Sequence, residues 1–359
     1  MIPYLLPADT GADELHQSLG DGWLAETVSC TVKRVLNGID ELELTYPLKG
    51  RRASDLALSK LIIARPEYKK TVQPYRIYDI TRASSGITVQ AHHVKEQLSY
   101  IPVMPFTAAA VTASQAFEAS RTYTGEDSTD FSFWTDITTK SIVQISEPVS
   151  MLQLLGGVEG SILDTYGGEY EFDGWQIKLY QRRGADNGVV LAYGKNIKSA
   201  KKDESIDGTI TGICPFWAGS EGVLVTLPEK VVSSNKAANF PFNRTVVKDC
   251  TEAFENQPTE AQLRTYATRL INKTGFGDPE LQMDVSFEHL AEYEEYKLFG
   301  VDEQVNLGDT VYVNYPDLQL NASARVMGTN YDVLNEKYTG ISLGKIKYDL
   351  NNVFDELRK

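Results

Sequence analysis

The spacing of apolar and polar positions changes period several times along this chain, most sharply between Ser146 and Asn196. From Val149 to Leu163 the residues Val149, Leu152, Leu155, Val158, Ile162 and Leu163 fall on one helical stripe. Pro148 suits a first turn, and Ser150 with Gln153 has the spacing of a capping box. Gly167-Gly168 is placed to stop the helix, because glycine enters the left-handed C-cap conformation without strain. Beyond it the period drops to two: Tyr170 and Phe172 alternate with Glu169, Glu171 and Asp173, and Trp175, Ile177 and Leu179 alternate with Gln176 and Lys178. Asp173-Gly174 between them is a hairpin signal, and Asn187-Gly188 turns the chain into Val189–Tyr193. The stretch predicts one amphipathic helix followed by a three-stranded meander.

Strand patterning dominates on either side. Residues 1–26 are rich in turn formers (Pro3, Pro7, Gly11, Gly20, Gly22) and read as an arm laid on a neighbouring surface. Val28, Cys30 and Val32 alternate, Asn37-Gly38 turns into Ile39–Tyr46, and Pro47 closes that strand. Leu61–Ala64, Tyr75–Ile80 and Ile87–Ala91 continue the series, with Ser84-Ser85-Gly86 as a turn. Thr112 and Gln115 cap a short helix ending near Tyr123; polar Gly125–Asp130 then leads into a strand-like Phe131–Trp134. Thr209–Trp217 and Gly222–Leu227 read as a strand pair. Leu263, Tyr266, Ala267, Leu270 and Ile271 form a helical stripe that Thr259 and Gln262 cap and Gly275 and Gly277 end. Leu281–Phe287, Thr310–Val313, Ala322–Tyr331 and Tyr338–Leu343 are strands again, with Leu307-Gly308-Asp309 turning into the second. A weak repeat joins the two β-rich ends. Leu61–Pro66, Arg76-Ile77-Tyr78-Asp79 and Gly86-Ile87-Thr88-Val89 resemble Val311–Pro316, Arg325-Val326 and Gly340-Ile341-Ser342-Leu343.

The expected fold is α+β and multidomain, with two small antiparallel β-barrels and α/β insertions. Residues 1–100 form the first barrel, completed by strands within 205–245, and 101–204 form an α/β insertion domain. Residues 246–280 are a helix-containing connection, 281–345 the second barrel, and 346–359 a short C-terminal segment with helical character at Leu350, Phe354 and Leu357.

Composition narrows the classes. A chain of 359 residues exceeds one ordinary core, and 42% hydrophobic with 23% charged residues describes a globular protein. No apolar run approaches a membrane span, and Met1–Leu6 is too short for a signal peptide, so neither membrane insertion nor export through an N-terminal signal is expected. The net charge of −14 argues against a sequence-reading nucleic-acid binder. Lys195, Lys198, Lys201 and Lys202 read as a solvated face, and the separated Cys30, Cys214 and Cys250 as thiols without metal-ligand spacing.

The candidate chemistry fails on spacing or partners. Gly156-Gly157-Val158-Glu159-Gly160-Ser161 lacks the Lys-Ser/Thr of a phosphate loop and sits in a helical pattern, so close backbone approach explains its glycines better. No Gly-x-Ser-x-Gly elbow occurs. His92 and His93 point to opposite faces of a strand, while His16 and His289 are isolated. Glu169, Glu171 and Asp173 share one strand face, and a glycosidase instead needs two carboxyls facing across a cleft with separated pKa values. No catalytic, cofactor-binding or metal-binding residue is assigned, and no cofactor is expected. Nineteen tyrosines and four tryptophans suit saccharide recognition and ordinary β-rich cores equally.

Several motifs together resemble the phage tail-associated proteins of the prophage endopeptidase tail family, at their N-terminal baseplate hub module. They are Asn37-Gly38 before Glu41-Leu42-Glu43-Leu44 and Tyr46-Pro47; Gln73-Pro74-Tyr75-Arg76-Ile77-Tyr78; Ile87-Thr88-Val89-Gln90-Ala91-His92-His93; and Gly156-Gly157 through Gly160-Ser161-Ile162-Leu163-Asp164 to Gly167-Gly168-Glu169. Arg182-Arg183-Gly184-Ala185-Asp186, Tyr193-Gly194-Lys195-Asn196, Leu307-Gly308-Asp309-Thr310-Val311 and Ala324-Arg325-Val326 through Tyr331-Asp332-Val333-Leu334 to Leu343-Gly344 complete the set.

The resemblance implies a hub-like fold of phage tails and a homotrimer that docks on the hexameric distal tail protein and closes the tail tube. Two barrels per chain would then match threefold to sixfold symmetry. It also implies contact with the tape measure protein and the tube end, possible receptor-binding or cell-wall-degrading modules, and DNA only in passage along an acidic lumen. The location implied is the baseplate tip of a virion tail made in the bacterial host cytoplasm. The family's endopeptidase label finds no support in these residues, since Lys345–Lys359 after Gly344 is too short for a catalytic domain. A tail-associated peptidoglycan hydrolase and a saccharide-binding adhesion module are the alternative readings.

Overall fold

The computed structural model describes residues 1–15, 20–125, 130–219, 222–254, 256–272, 276–278, 280–287, 305–318 and 320–344. The chain forms two compact units, one from Met1–Lys201 with the chain after Met283, the other Lys202–Gln282.

The first unit begins with β1 (Tyr4–Leu6), β2 (Gly22–Trp23), β3 (Ser29–Val35), β4 (Asp40–Tyr46), β5 (Leu61–Ala64), β6 (Gln73–Ala83) and β7 (Gly86–His93). There follow β8 (Pro102–Val103), β9 (Phe106–Val111), α1 (Ala113–Ser120), β10 (Ser132–Thr135), β11 (Ser141–Ile145) and β12 (Val149–Ser150). Next come α2 (Met151–Leu155), α3 (Ile162–Tyr166), β13 (Glu169–Asp173), β14 (Gln176–Tyr180), β15 (Asp186–Ala192) and β16 (Ile197–Ser205). The second unit holds β17 (Gly212–Ala218), β18 (Leu224–Thr226), β19 (Val232–Ser233), β20 (Thr245–Asp249) and α4 (Glu260–Ile271). The chain then adds β21 (Glu280–Phe287), β22 (Thr310–Tyr315), β23 (Leu320–Asp332) and β24 (Lys337–Gly344).

Thirteen strands form one sheet in the order β16-β21-β24-β23-β3-β4-β7-β6-β5-β1-β2, with β22 and β15 continuing from β23 on a side branch. Alternation places Cys30 and Val32 of β3, and Leu42, Leu44 and Tyr46 of β4, on the core face. Each such side chain contributes about 1.5–3 kcal/mol by leaving water. A second core of the same unit lies among β8–β14 and the helices, around Phe117, Met151, Leu155, Tyr170, Trp175 and Ile177.

The sheet is a duplication. Strands β3-β4-β7-β6-β5 and β16-β21-β24-β23-β22 occupy matching places in hydrogen-bond order and in chain order. In the first copy the β6–β7 register shifts between Ile77 and Asp79; in the second the β23–β24 register shifts between Val326 and Gly328. Arg76 opposes Leu61 and Arg325 opposes Thr310, so Arg76-Ile77-Tyr78-Asp79 is equivalent to Arg325-Val326-Met327-Gly328 with its bulge included. Ahead of the preceding strand, Ser59 (φ 68°) and Gly308 (φ 92°) take the same left-handed conformation. Ser59 N donates to Ile77 O at 2.9 Å and Gly308 N to Val326 O at 2.8 Å. In both copies the arginine donates to that residue's carbonyl, Arg76 Nη1 to Ser59 O at 2.6 Å and Arg325 Nη2 to Gly308 O at 2.8 Å. The weak repeat in the sequence is therefore a repeated bulged meander. Its true alignment is one residue off at Leu61, equivalent to Thr310, and two off at Val89, equivalent to Ile341. The flanking strands differ: β1 runs antiparallel to β5, and β15 parallel to β22.

Several expectations change. No closed barrel is found among the described residues; the two copies join edge to edge where Gly328–Asp332 of β23 pairs with Thr31–Val35 of β3. The strands within 205–245 do not complete the first copy, because they bond among themselves and to β20 in the order β18-β17-β19, with β20 on β17. The expected insertion ends early, since β15 and β16, placed within 101–204, belong to the large sheet. The helix over Val149–Leu163 is two short helices: Gly156 is extended (φ −179°), and Gly157 and Gly160 have positive φ. The meander is a hairpin, β13 with β14, whose third strand is β10, parallel to β14. Asn187-Gly188 makes a bulge in β15 rather than a turn, with the register shifting between Asp186 and Val189. The N-terminal arm is woven in as β1 on β5 and β2 on β1. Capping boxes form at Thr112, Ser150 and Thr259 as the spacing predicts. His16, His289, Gly275 and the segment Lys345–Lys359 lie outside the described residues. Among the described residues no helix is long and apolar enough to cross a membrane.

Candidate functional site

The motifs that carry the family resemblance, far apart in sequence, meet in one buried ionic junction of the first unit. The β3–β4 hairpin brings two charged residues to the core face, Arg34 and Asp40, at the strand ends beside Asn37-Gly38. Arg34 Nε donates to Asp40 Oδ2 at 2.9 Å, and Tyr75 Oη to Asp40 Oδ1 at 2.9 Å. Arg34 also pairs with Glu67, which is fully buried after β5, at 3.3 Å; Arg183 approaches the same oxygen at 3.5 Å. Leu307 N donates to the other Glu67 oxygen at 3.0 Å.

The stretch between Ser146 and Asn196 docks here through its carboxylates. Glu169 accepts from Arg183 N at 2.7 Å and from Arg325 Nη2 at 2.8 Å, while Arg183 Nε pairs with Glu171 at 3.3 Å. Arg325 Nη2 also donates to Arg183 O at 2.7 Å. Asp309 accepts from Ala185 N and Asn306 N, both at 2.8 Å, and Thr310 N donates to Ala185 O at 2.9 Å. The Asn37 side chain closes the assembly by donating to Gly168 O at 3.2 Å and accepting from Tyr170 N at 2.7 Å. A Cβ on Gly184 would collide with the Gly308 carbonyl, and both glycines have positive φ, so the two motifs stack backbone on backbone.

The electrostatics are those of a matched set. Burial alone would discharge Arg34, but Asp40 and Glu67 hold its proton more firmly than usual. Burial likewise opposes the Asp40 charge, and Arg34, His93 and Lys95 outweigh it, so its pKa lies below the ordinary value. Burial raises Asp309 and lowers Lys95, whose ammonium donates to Gly38 O. Taking such ions out of water costs several kcal/mol each, which only mutual pairing offsets. The space left among Arg34, Asn37, Lys95, Tyr170, Arg183 and Leu307 is about 10 Å³, room for the centre of one water and far below the ~300 Å³ of a small ligand site.

The sequence candidates for chemistry fall into place around this junction. Burial would raise Asp173, but bonds from Lys178 at 2.8 Å and Gln73 at 2.9 Å hold it below the ordinary range, the reverse of what a general acid needs. His92 stacks on Tyr78 with centroids 3.9 Å apart, and His93 is buried on the opposite face. Lys95 N donates to His93 Nδ1 at 3.2 Å, and His93 Nε2 lies 3.1 Å from Gln73 Oε1. Burial holds its pKa down to about 4, so it is a neutral capping residue. Gly160 lies against Gln144 O, where a Cβ would collide, and its N–H donates to Asp164 Oδ2 at 3.0 Å. Burial raises the thiols of Cys30 and Cys250. No metal-binding cluster occurs among the described residues.

Sequence reading missed Arg34, Glu67 and Arg183 as a set. A signal existed for Arg34 and Asp40, charged residues at positions whose strand parity matches Cys30, Val32, Leu42 and Leu44. Glu67 sits in a loop with no periodicity to betray it.

Residues 185–354 match the family described as Prophage endopeptidase tail, so the resemblance read from the motifs is borne out. The prophage tail protein gp18 from Listeria monocytogenes EGD-e shares the fold at TM-score 0.64 and 14% identity, over 100% of this chain and 98% of that one. A tail protein from Neisseria meningitidis MC58 follows at 0.59 and 10%, covering 91% and 94%. The 43 kDa tail protein of prophage MuSo2 from Shewanella oneidensis gives 0.57 and 11%, covering 88% and 94%. At such identities these likenesses establish the fold. No curated protein matches the sequence.

Proposed function

We propose, from the match to the prophage endopeptidase tail family, that this chain is a structural baseplate hub of a phage or prophage tail. It acts as a homotrimer that closes the distal end of the tail tube and docks on the hexameric distal tail protein. The observation that carries this reading is the duplicated strand unit with its repeated bulge and arginine clamp. Three chains then present six equivalent units, which meet a sixfold partner without mismatch. The two strand copies of each chain line the ring, the tape measure protein and tube end lie above it, and DNA passes along an acidic lumen consistent with the net charge of −14. Its place is the virion tail.

The role is architectural and non-enzymatic. The carboxylates that would have served hydrolysis are neutralised by Arg183, Arg325 and Lys178, and what they hold together is the fold. Mixing the chain with the distal tail protein and measuring the mass of the complex tests the reading, with a cell-wall release assay beside it. Three chains per hexamer without wall release are expected. A chain that ignores the hexamer and solubilises wall material would overturn it.

A further inference from the structure

Within the chain, the joint between the two copies is specific. The outer edge of β23 past its bulge, Gly328–Asp332, pairs antiparallel with β3, which is the first strand of the other copy. The equivalent edge in the first copy is β6 past its bulge, Asp79–Ala83. Among the described residues that edge meets no strand: β5 pairs with β6 only over Gln73–Arg76, and Asp79, Thr81, Arg82 and Ala83 are exposed. The strand equivalent to β3 is β16, which among the described strands stands at the end of its path, beside β21. Each copy therefore carries one half of the same joint, and among the described strands the joint forms once within the chain, between β23 and β3.

We infer that Asp79–Ala83 of β6 pairs with β16 of a second copy of this chain, near Ser199-Ala200, repeating between chains the β23–β3 joint. The inference rests on the hub reading in that the pairing, being head to tail, must close as a ring. Its occupant is fixed by the equivalence itself. Thr31-Val32-Lys33-Arg34 and Ser199-Ala200-Lys201-Lys202 share one pattern, and Ala200 packs against the main core on the same face as Val32. In the internal joint Asp332 opposes Thr31 and Tyr331 opposes Val32. Transposed through the bulges, Ala83 opposes Ser199 and Arg82 opposes Ala200. An exposed strand edge of this length invites pairing unless a partner covers it, and in this chain no proline interrupts Asp79–Ala83.

The test is disulfide trapping in the full chain. With Ala83→Cys and Ser199→Cys together, mild oxidation is expected to give covalent dimers and closed trimers on a non-reducing gel. Mixed single variants should give dimers, and the unsubstituted chain neither, which controls for the native cysteines. Hydrogen exchange on the unsubstituted protein gives an independent reading: amides of 79–83 should be protected at assembling concentration and lose at least tenfold protection on dilution to monomer. A chain that is trimeric by mass, yet forms no such crosslink and exchanges freely at 79–83, overturns this inference and leaves the hub reading standing. A chain monomeric by mass, alone and with the distal tail protein, overturns both.

Discussion

Arg325 donates through Nη2 to Glu169 Oε2 at 2.8 Å, across 156 residues of chain. The bond ties the last bulged strand of the large sheet to the hairpin of the inserted region, while the same nitrogen holds Arg183 O and Gly308 O. One side chain thus fixes the relative register of three segments that carry the family's motifs.

Replacing Arg325 by alanine leaves the Glu169 carboxylate buried without this partner, and we expect a loss of about 3–5 kcal/mol in the first unit. Chemical denaturation should show it. Arg325→Met with Glu169→Gln should recover part of that loss, because the pair removed together leaves no unpaired ion.

Gly184→Ala and Gly308→Ala should each destabilise by more than about 2 kcal/mol, because a Cβ meets backbone at a positive φ. Gly188→Ala is the control: its φ is 68°, but nothing lies within 4 Å of the added carbon. About 1 kcal/mol, the cost of the conformation alone, is expected there. Thermal melts of the three variants order them.

His93 gives a pH dependence with a defined sign. Its folded pKa is about 4 and its unfolded value ~6.5, so between those values the unfolded chain binds more protons. Stability should rise with pH through this window and fall, by up to roughly 3 kcal/mol, as pH drops from 6.5 to 4. Asp40, Arg34, Lys95 and Asp173 surround the ring. His93→Gln should flatten that stretch of the curve; equal slopes in variant and wild type would contradict the assignment.

In the second unit Thr259 caps α4 with Gln262 in a reciprocal box. Thr259→Ala should cost about 1 kcal/mol, visible as faster amide exchange in the first turn.

Local chemistry was legible in the sequence, and long-range pairing was not. Thr112, Ser150 and Thr259 announce their helices because a cap is decided within four residues. Asn37-Gly38 announces its hairpin for the same reason, with Asn37 at φ 54°. The glycines at 156, 157 and 160 were seen, yet their power to split a well-patterned apolar stripe depends on Gln144 O lying against Gly160, which no local pattern records. Alternation identifies β15 as a strand and cannot say which sheet receives it, while β16 hides behind its lysines, which read only as a solvated face. The junction stayed hidden because its members come from loops and strand ends, where charge is the ordinary expectation; only their convergence makes Glu67 and Arg183 unusual. The duplication was faintly visible at Arg76 and Arg325, and the shared bulge that proves it is a matter of register.

The central claim, that the two copies of the bulged meander in each chain build a threefold assembly of sixfold appearance, is tested most directly by electron microscopy of the purified chain. End-on class averages should show a closed ring of six similar lobes with the mass of three 39.9 kDa chains. Isolated two-lobed particles, or rings whose mass is not three chains, would contradict it.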